Sequence, residues 1–507
     1  MELLKEIDRP FEILGEKLDF GVDIIKTSFC MFLAYPLSLL FKKIKDPKKR
    51  LWYLLINGLL FLIFCHKEQS IWVLAPCVIL YYVLKIRPIN PHYFFVGAIC
   101  YLLIFHFHDL ITNYLEYSLK INSVVMMQVV LYTTFVYNYH DGKNKKKAQL
   151  NERQQELVIT EIPPLLDYLA YFLQYNTILI GPTCEYVHFE NFVYNRNIEE
   201  QKREFQKKHP DTKISKESST LAGLKTLAIS VFFLVGYIVV GMKFPESLLF
   251  DEEQKKKNFI YRVILMHLVV TKTRFKYYHA LKLSEGSCQI TGYGFNGIDE
   301  KTGAMKWDRL ENMEPLNIEK AHSIYVASAC WNKRISAWLR LYIYDRIAIT
   351  KEIEIEDGKG GKKKKIIRKR QGLATLFTFI VSAVWHGVYP GYYCTFILWF
   401  IITMAGRSLR RHIRPFFIDD DGKNIQPFKL IYDILGHLIT PLLIDNIGLP
   451  LVVLTFSKSI KIFQFGNFWV LWTSVPIIII TKIPICLKLI RKSRNSFVKL
   501  FHKKKRD

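Results

Sequence analysis

Acids are scarce in this 507-residue chain: 45 Asp and Glu stand against 71 Lys and Arg, for a formal net charge of +26. Other absences narrow the field further. The nine cysteines lack metal-ligand spacing, and Cys30, Cys65, Cys77, Cys100 and Cys486 lie within or beside apolar runs. They are expected to be packing residues, with no metal site and no disulfide framework. The first twenty-odd residues mix acids with bases and lack a small-residue cleavage site, so the first apolar segment is expected to stay in the membrane. No repeat of fixed period is visible, and the chain reads as one membrane-embedded domain over 1–507. The longest local absence runs from Leu373 to Ala405, where there is no Asp, Glu, Lys or Arg.

What is present in quantity is apolar. Half of the residues are hydrophobic and 14% aromatic, in blocks long enough to span a bilayer and separated by charged loops. The abundant Phe and Tyr suit the headgroup level. The bases cluster between the apolar blocks, at Lys42–Arg50, Lys143–Lys147, Lys362–Arg370 and Arg491–Arg506. That placement points to orientation on a membrane, and away from a nucleic-acid partner. The expected fold is all-α and polytopic, with about eleven transmembrane helices plus re-entrant and interfacial helices. Residues 1–23 read as an interfacial amphipathic segment, 351–371 as a low-complexity cytoplasmic loop and 491–507 as a basic cytoplasmic tail. Counting basic loops as cytoplasmic puts the amino terminus in the lumen and, after an odd number of crossings, the carboxy terminus in the cytoplasm.

One titratable side chain interrupts the uncharged Leu373–Ala405 stretch. His386 is followed at once by Gly387, Pro390 and Gly391, which break a helix, so two membrane segments are expected to meet there. An ionisable group at membrane depth is costly unless it is paired or faces a wet cavity, and it marks a functional site by default. Capping of a helix end is the plainer alternative. Upstream, SACWNKRISAWLRLYIYDRI (328–347) reads as an amphipathic helix at the headgroups. Asn332 is its exception: a primary amide beside Trp331 can both donate to and accept from a substrate.

WN…WL and WHGVYPGYY, together with TFVYNYHDGK (134–143), YFLQYNTILIGPTCEYVHFENF (171–192), TGYGFNGIDEKTGAMKWDRLENMEPLNIE (291–319) and SAVWHGVYPGYYCTF (382–396), resemble the membrane-bound O-acyltransferase family. Within it they are most similar to the lysophospholipid acyltransferase branch. The resemblance covers about residues 120–405. It implies His386 as the catalytic histidine, Asn332 as its polar partner and a helical bundle around a central reaction chamber. It further implies acyl-CoA as co-substrate with no other cofactor, and a lysophospholipid acceptor. Other residues are weaker candidates. Trp331 and Trp385 could wall the chamber or serve packing alone. Tyr389, Tyr392 and Tyr393 could hydrogen-bond the acceptor. Asn296, Asp308 and Glu311 fall in the shared polar block, plausible near a CoA entrance, and Lys333, Arg334 and Lys306 could meet CoA phosphates or lipid headgroups. No metal cluster and no obligate protein partner are expected.

Two other functions compete: acylation of a sterol, diacylglycerol or protein, and transport through broken helices. A transporter would show matching interrupted segments in related halves, and none is visible. The carboxy-terminal HKKKRD places Lys504 and Lys505 as in dilysine signals that retrieve membrane proteins to the endoplasmic reticulum. Changing both to Ser should release the protein towards later compartments, read by fractionation or imaging. A variant that stays in the reticulum would contradict retrieval by this tail.

Overall fold

The structure is a computed structural model that describes residues 2–18, 20–116, 119–144, 150–196, 198–215, 218–348, 350–357, 361–368, 371–417 and 428–503. Lys504 and Lys505 therefore lie outside the described residues. Apart from one two-stranded hairpin the described architecture is helical, and it divides into two compact units. One comprises Met1–Leu234, Tyr277–Met313 and Lys333–Arg346; the other comprises Val235–Lys276, Glu314–Asn332 and Ile347–Asp507.

The first unit is built around helix Ile121–Asn144. Every side chain from Gln128 to Tyr139 is buried, the mark of a helix surrounded by protein on all sides. Several of its polar groups are met by neighbouring segments. Gln128 Nε2 donates to the Phe172 carbonyl at 2.8 Å, and Tyr342 donates to Asn138 at 3.0 Å. Trp338 Nε1 donates to the Thr133 hydroxyl at 3.0 Å, and Arg346 closes an ion pair on buried Asp141. The amino-terminal segment forms helix Glu2–Leu18, whose buried Asp8 pairs with Lys26 at 2.7 Å and with Lys67. The short helix Leu165–Leu173 is followed by buried irregular chain.

In the second unit, Leu265, Met266, Val269 and Val270 of helix Phe259–Thr291 pack on Leu449, Val453, Ile462 and Phe465. Beside this core sits a buried charge cluster. Arg274, 4% exposed, holds Glu319 through Nε at 2.9 Å and Nη2 at 3.1 Å, and its Nη1 meets Asp445, 1% exposed. The second oxygen of Asp445 lies 2.6 Å from His267 Nδ1. Such a guanidinium is tolerable only because each of its faces meets a carboxylate or hydroxyl.

Among the described residues six helical stretches are long and apolar enough to cross a bilayer: Val22–Phe41, Pro47–Ile86, Pro91–Thr112, Ser219–Phe250, Pro390–Phe416 and Lys429–Val453. The pair Phe456–Phe465 and Trp469–Ile480, bent by 85°, would make a seventh, and Gln371–His386 is apolar but shorter. The eleven expected crossings are thus not reproduced as eleven separate long helices. A 3-10 turn at Lys67–Ser70 joins two apolar helices into the single stretch Pro47–Ile86. Large apolar side chains such as Leu60, Ile79, Ile104 and Phe232 stand exposed on these helices, as lipid contact requires.

Within the expected cytoplasmic loop 351–371 the described residues form a hairpin: Thr350–Asp357 pairs antiparallel with Gly361–Arg368, with Glu354 opposite Lys364 and Glu356 opposite Lys362 in the register. The Glu-Ile alternation of the sequence has a strand period.

Removing one anchor of the buried cluster should be costly. Asp445→Ala leaves Arg274 Nη1 and His267 Nδ1 without their shared carboxylate, Glu319 still holding the rest of the guanidinium, and should destabilise the protein by about 1–3 kcal/mol, seen as a lower thermal midpoint of the detergent-extracted protein. An unchanged midpoint would contradict the pairing.

Candidate active site

Helix Gln371–His386 ends on the histidine, and the next helix, Pro390–His412, begins four residues later with proline at its first position. Between them Gly387 has φ +141°, a conformation that a side chain would strain, so the break is written into the glycine. Gly391 makes the turn close. Its N–H donates to the Leu454 carbonyl at 2.6 Å, and a Cβ there would sit 2.1 Å from the Pro450 carbonyl oxygen. The expected two-helix hairpin is therefore present and is locked at its turn against the end of helix Phe428–Val453.

The imidazole of His386 lies in an aromatic setting. It stacks on Phe396 with ring centroids 5.2 Å apart, meets Trp385 edge-on at 4.8 Å and lies 5.7 Å from Tyr392. Tyr392 in turn touches Tyr389 at 6.3 Å. Tyr392, Phe396 and Trp399 are spaced i, i+4, i+7, one face of a helix. Phe396 and Trp399 stack with an interplanar angle of 4°. Sequence reading singled out Tyr392 but missed Phe396 and Trp399, although this spacing carried the signal. Tyr393, on the same helix, is half-buried.

Trp399 connects the aromatic face to the segment that carries Asn332. Its Nε1 donates to the Ser328 hydroxyl at 3.0 Å, and Ser328 lies on helix Ile324–Cys330, which ends at Trp331. Asn332 follows with φ +41°, in the left-handed region that asparagine tolerates better than most residues. Trp331, Ala327, Ser328, Trp399, Ile444 and Ile447 line a small apolar cleft beside it. His386, Trp385, Tyr389, Tyr392, Tyr393, Trp331 and Asn332 thus all belong to the second unit.

The remaining candidates, Asn296, Asp308, Glu311, Lys333 and Arg334, belong to the first unit. Asn296 donates to Asp308 at 2.9 Å within an exposed, hairpin-like turn joined by the Ile298–Met305 bridge. Glycines with positive φ at 292, 297 and 303 bend this segment. The three candidate phosphate cations each meet an acid. Lys306 pairs with Asp299 at 3.1 Å, Lys333 with Glu311 at 2.7 Å and Arg334 with Glu185 at 2.6 Å. Arg334 also donates through Nε to the Thr183 carbonyl at 2.6 Å. Burial alone would raise the Glu185 carboxyl, but the Arg334 guanidinium outweighs it and holds the group down at about 2. His188, one turn on, is pushed down to about 4 by burial. Glu185 was not singled out from sequence, and nothing near it in the chain announces its partner. Among the described residues no group of His, Cys, Asp and Glu is arranged to hold a metal ion.

Comparison with known proteins matches residues 92–447 to the MBOAT, membrane-bound O-acyltransferase family. The chain is 28% identical over 472 residues to a lysophospholipid acyltransferase of Saccharomyces cerevisiae, covering 89% of this chain and 73% of that protein. It is 29% identical over 462 residues to a lysophospholipid acyltransferase of Schizosaccharomyces pombe, covering 90% and 86%. It is 26% identical over 504 residues to human membrane-bound glycerophospholipid O-acyltransferase 2, covering 97% and 91%.

Proposed function

The chain belongs to the membrane-bound O-acyltransferase family and is a multi-pass O-acyltransferase, and we propose that it transfers a fatty acyl group from acyl-CoA to the free glycerol hydroxyl of a lysophospholipid. The observation that carries this reading is the position of His386. A titratable ring stands at a glycine- and proline-made break between two apolar helices, against Phe396 and Trp385. The similar yeast proteins, lysophospholipid acyltransferases over about nine-tenths of this chain, support the choice of acceptor.

The chemistry follows from what the residues can do. A glycerol hydroxyl is a weak nucleophile toward a thioester at neutral pH. Neutral His386 takes its proton as the oxygen attacks the acyl carbonyl carbon, a contribution commonly worth about 10²–10⁴-fold. The carbonyl becomes an oxyanion, and an amide N–H of Asn332 is suited either to stabilise it or to hold a substrate in place. As the carbon–oxygen double bond re-forms, the carbon–sulfur bond breaks. Coenzyme A leaves as the thiolate and recovers the proton from the imidazolium. The ester of a diacyl phospholipid and free coenzyme A are the products, which is phospholipid remodelling. No acyl-enzyme is required.

The working location is the endoplasmic reticulum membrane, with acyl-CoA arriving from the cytoplasmic side. The positive-inside placement of the basic segments supports that orientation. The tyrosines at 389, 392 and 393 are suited to the acceptor by their place at the turn. Lys306, Lys333 and Arg334 already share acids, so a role in CoA binding would require them to serve both.

The test is expression in microsomes of low background, assayed with a panel of lysophospholipids and acyl-CoA donors beside His386→Ala. Transfer to at least one lysophospholipid is expected, and His386→Ala should lower kcat by roughly 10²-fold or more at equal expression. Acylation of a sterol or peptide alone would overturn the acceptor. Near-normal turnover by His386→Ala would overturn the base.

A further inference from the structure

Within the first unit, helices Val22–Phe41 and Pro47–His66 pack antiparallel, joined by the short basic turn at 42–46. Their register is set at both ends. Near the turn Tyr53 donates to the Leu37 carbonyl at 3.0 Å. Toward the far end the Phe29 and Phe64 rings lie 6.1 Å apart, each 5.3 Å from Phe11 of helix Glu2–Leu18. This register brings two thiols together there. Cys30 Sγ and Cys65 Sγ are 3.7 Å apart, and both are free. Cys30 is 1% exposed, whereas Cys65, in the last turn of its helix, is half-buried.

The pair sits one helical turn inward from a group of charges. Lys26, four residues before Cys30, and Lys67, two residues after Cys65, both pair with Asp8. Charges gathered at helix ends mark the headgroup level of a membrane. The opposite end of the same two helices carries the basic run Lys42–Arg50, which the proposed orientation sets in the cytoplasm. Cys30 and Cys65 then lie at the luminal end, beside a compartment in which disulfides form and persist. To bond, the two sulfurs need approach each other by less than about 2 Å.

We propose that Cys30 and Cys65 are a reversible thiol–disulfide pair that staples the amino-terminal helix hairpin at its luminal end. The oxidant is a small disulfide, oxidised glutathione in the simplest case. The thiolate of Cys65, the more accessible of the two, attacks one glutathione sulfur; the glutathione disulfide bond breaks and one glutathione leaves as its thiolate. Cys30 then gives up its proton and attacks the Cys65 sulfur of the mixed disulfide, expelling the second glutathione. Two protein thiols are oxidised, one disulfide is reduced, and the two protons end on the two glutathione thiols. The bond joins residues 35 apart, and closing a loop of that length restricts the unfolded chain. The inference rests on the membrane orientation proposed above.

The test starts from intact microsomes quenched with a membrane-permeant maleimide, from which the full chain is purified and digested without reductant. A peptide pair linked through Cys30 and Cys65 is expected from most chains, and dithiothreitol should abolish it. The reduced, detergent-extracted chain should regain the link in oxidised glutathione and then melt at a higher temperature than in dithiothreitol. Cys30→Ala should instead stop at a glutathione adduct on Cys65, and Cys65→Ala should leave Cys30 unmodified. Neither variant should melt differently in the two buffers. Orientation is read separately, by labelling the lysines of the 42–50 loop in sealed microsomes with an impermeant amine reagent. Thiols that stay free in microsomes whose loop is labelled from outside would overturn the proposal, as would failure to link in oxidised glutathione. A link that leaves the melting temperature unchanged would overturn the staple. A loop protected from the outside would instead overturn the orientation beneath the inference.

Discussion

An imidazole among apolar helices needs something to hold it, and the architecture of the second unit follows from how that need is met. His386 ends one helix where Gly387 takes a conformation closed to side chains, and Pro390 starts the next. The break removes the ring from the regular helical ladder and sets it against Phe396. Phe396 stacks on Trp399, and Trp399 hydrogen-bonds Ser328 on the helix that leads into Trp331 and Asn332. Rigid aromatic contacts suit a base that must meet its proton within a fraction of an ångström.

Charge is handled by the same principle of pairing inside each unit. Arg274 is divided between Glu319 and Asp445, and Arg334 is matched to Glu185. Lys282, Glu285, Glu311 and Lys333 form a chain of alternating sign. Replacing buried ion clusters with well-packed apolar side chains is often neutral for stability, whereas removing one partner alone is costly.

The helix break at His386 was legible in sequence because its signal is local, carried by three neighbouring residues. The fold was less so. Hydropathy marks a helix as apolar without saying whether lipid or protein surrounds it, so the enclosure of helix Ile121–Asn144 by protein was not legible. The run from Phe456 to Ile480 bends by 85° at Asn467 and Phe468, both in left-handed conformation, which no window average registers. The charged insert was read by composition, and its two-residue Glu-Ile alternation, the real strand signal, was overlooked. Arg334 and Lys333 read as open cations because their partners are remote. Glu185 lies 149 residues from Arg334 and Glu311 lies 22 from Lys333, separations over which no local pattern speaks.

In the proposed reaction His386 activates the acceptor hydroxyl while the acyl group is still on its thioester, which requires both substrates to be bound together. Initial rates measured over a grid of acyl-CoA and lysophospholipid concentrations test this most directly. The account predicts double-reciprocal lines that intersect, as for a ternary complex, and no acylated protein on rapid quenching with labelled acyl-CoA alone. Parallel lines together with a burst of labelled acyl-enzyme would contradict it.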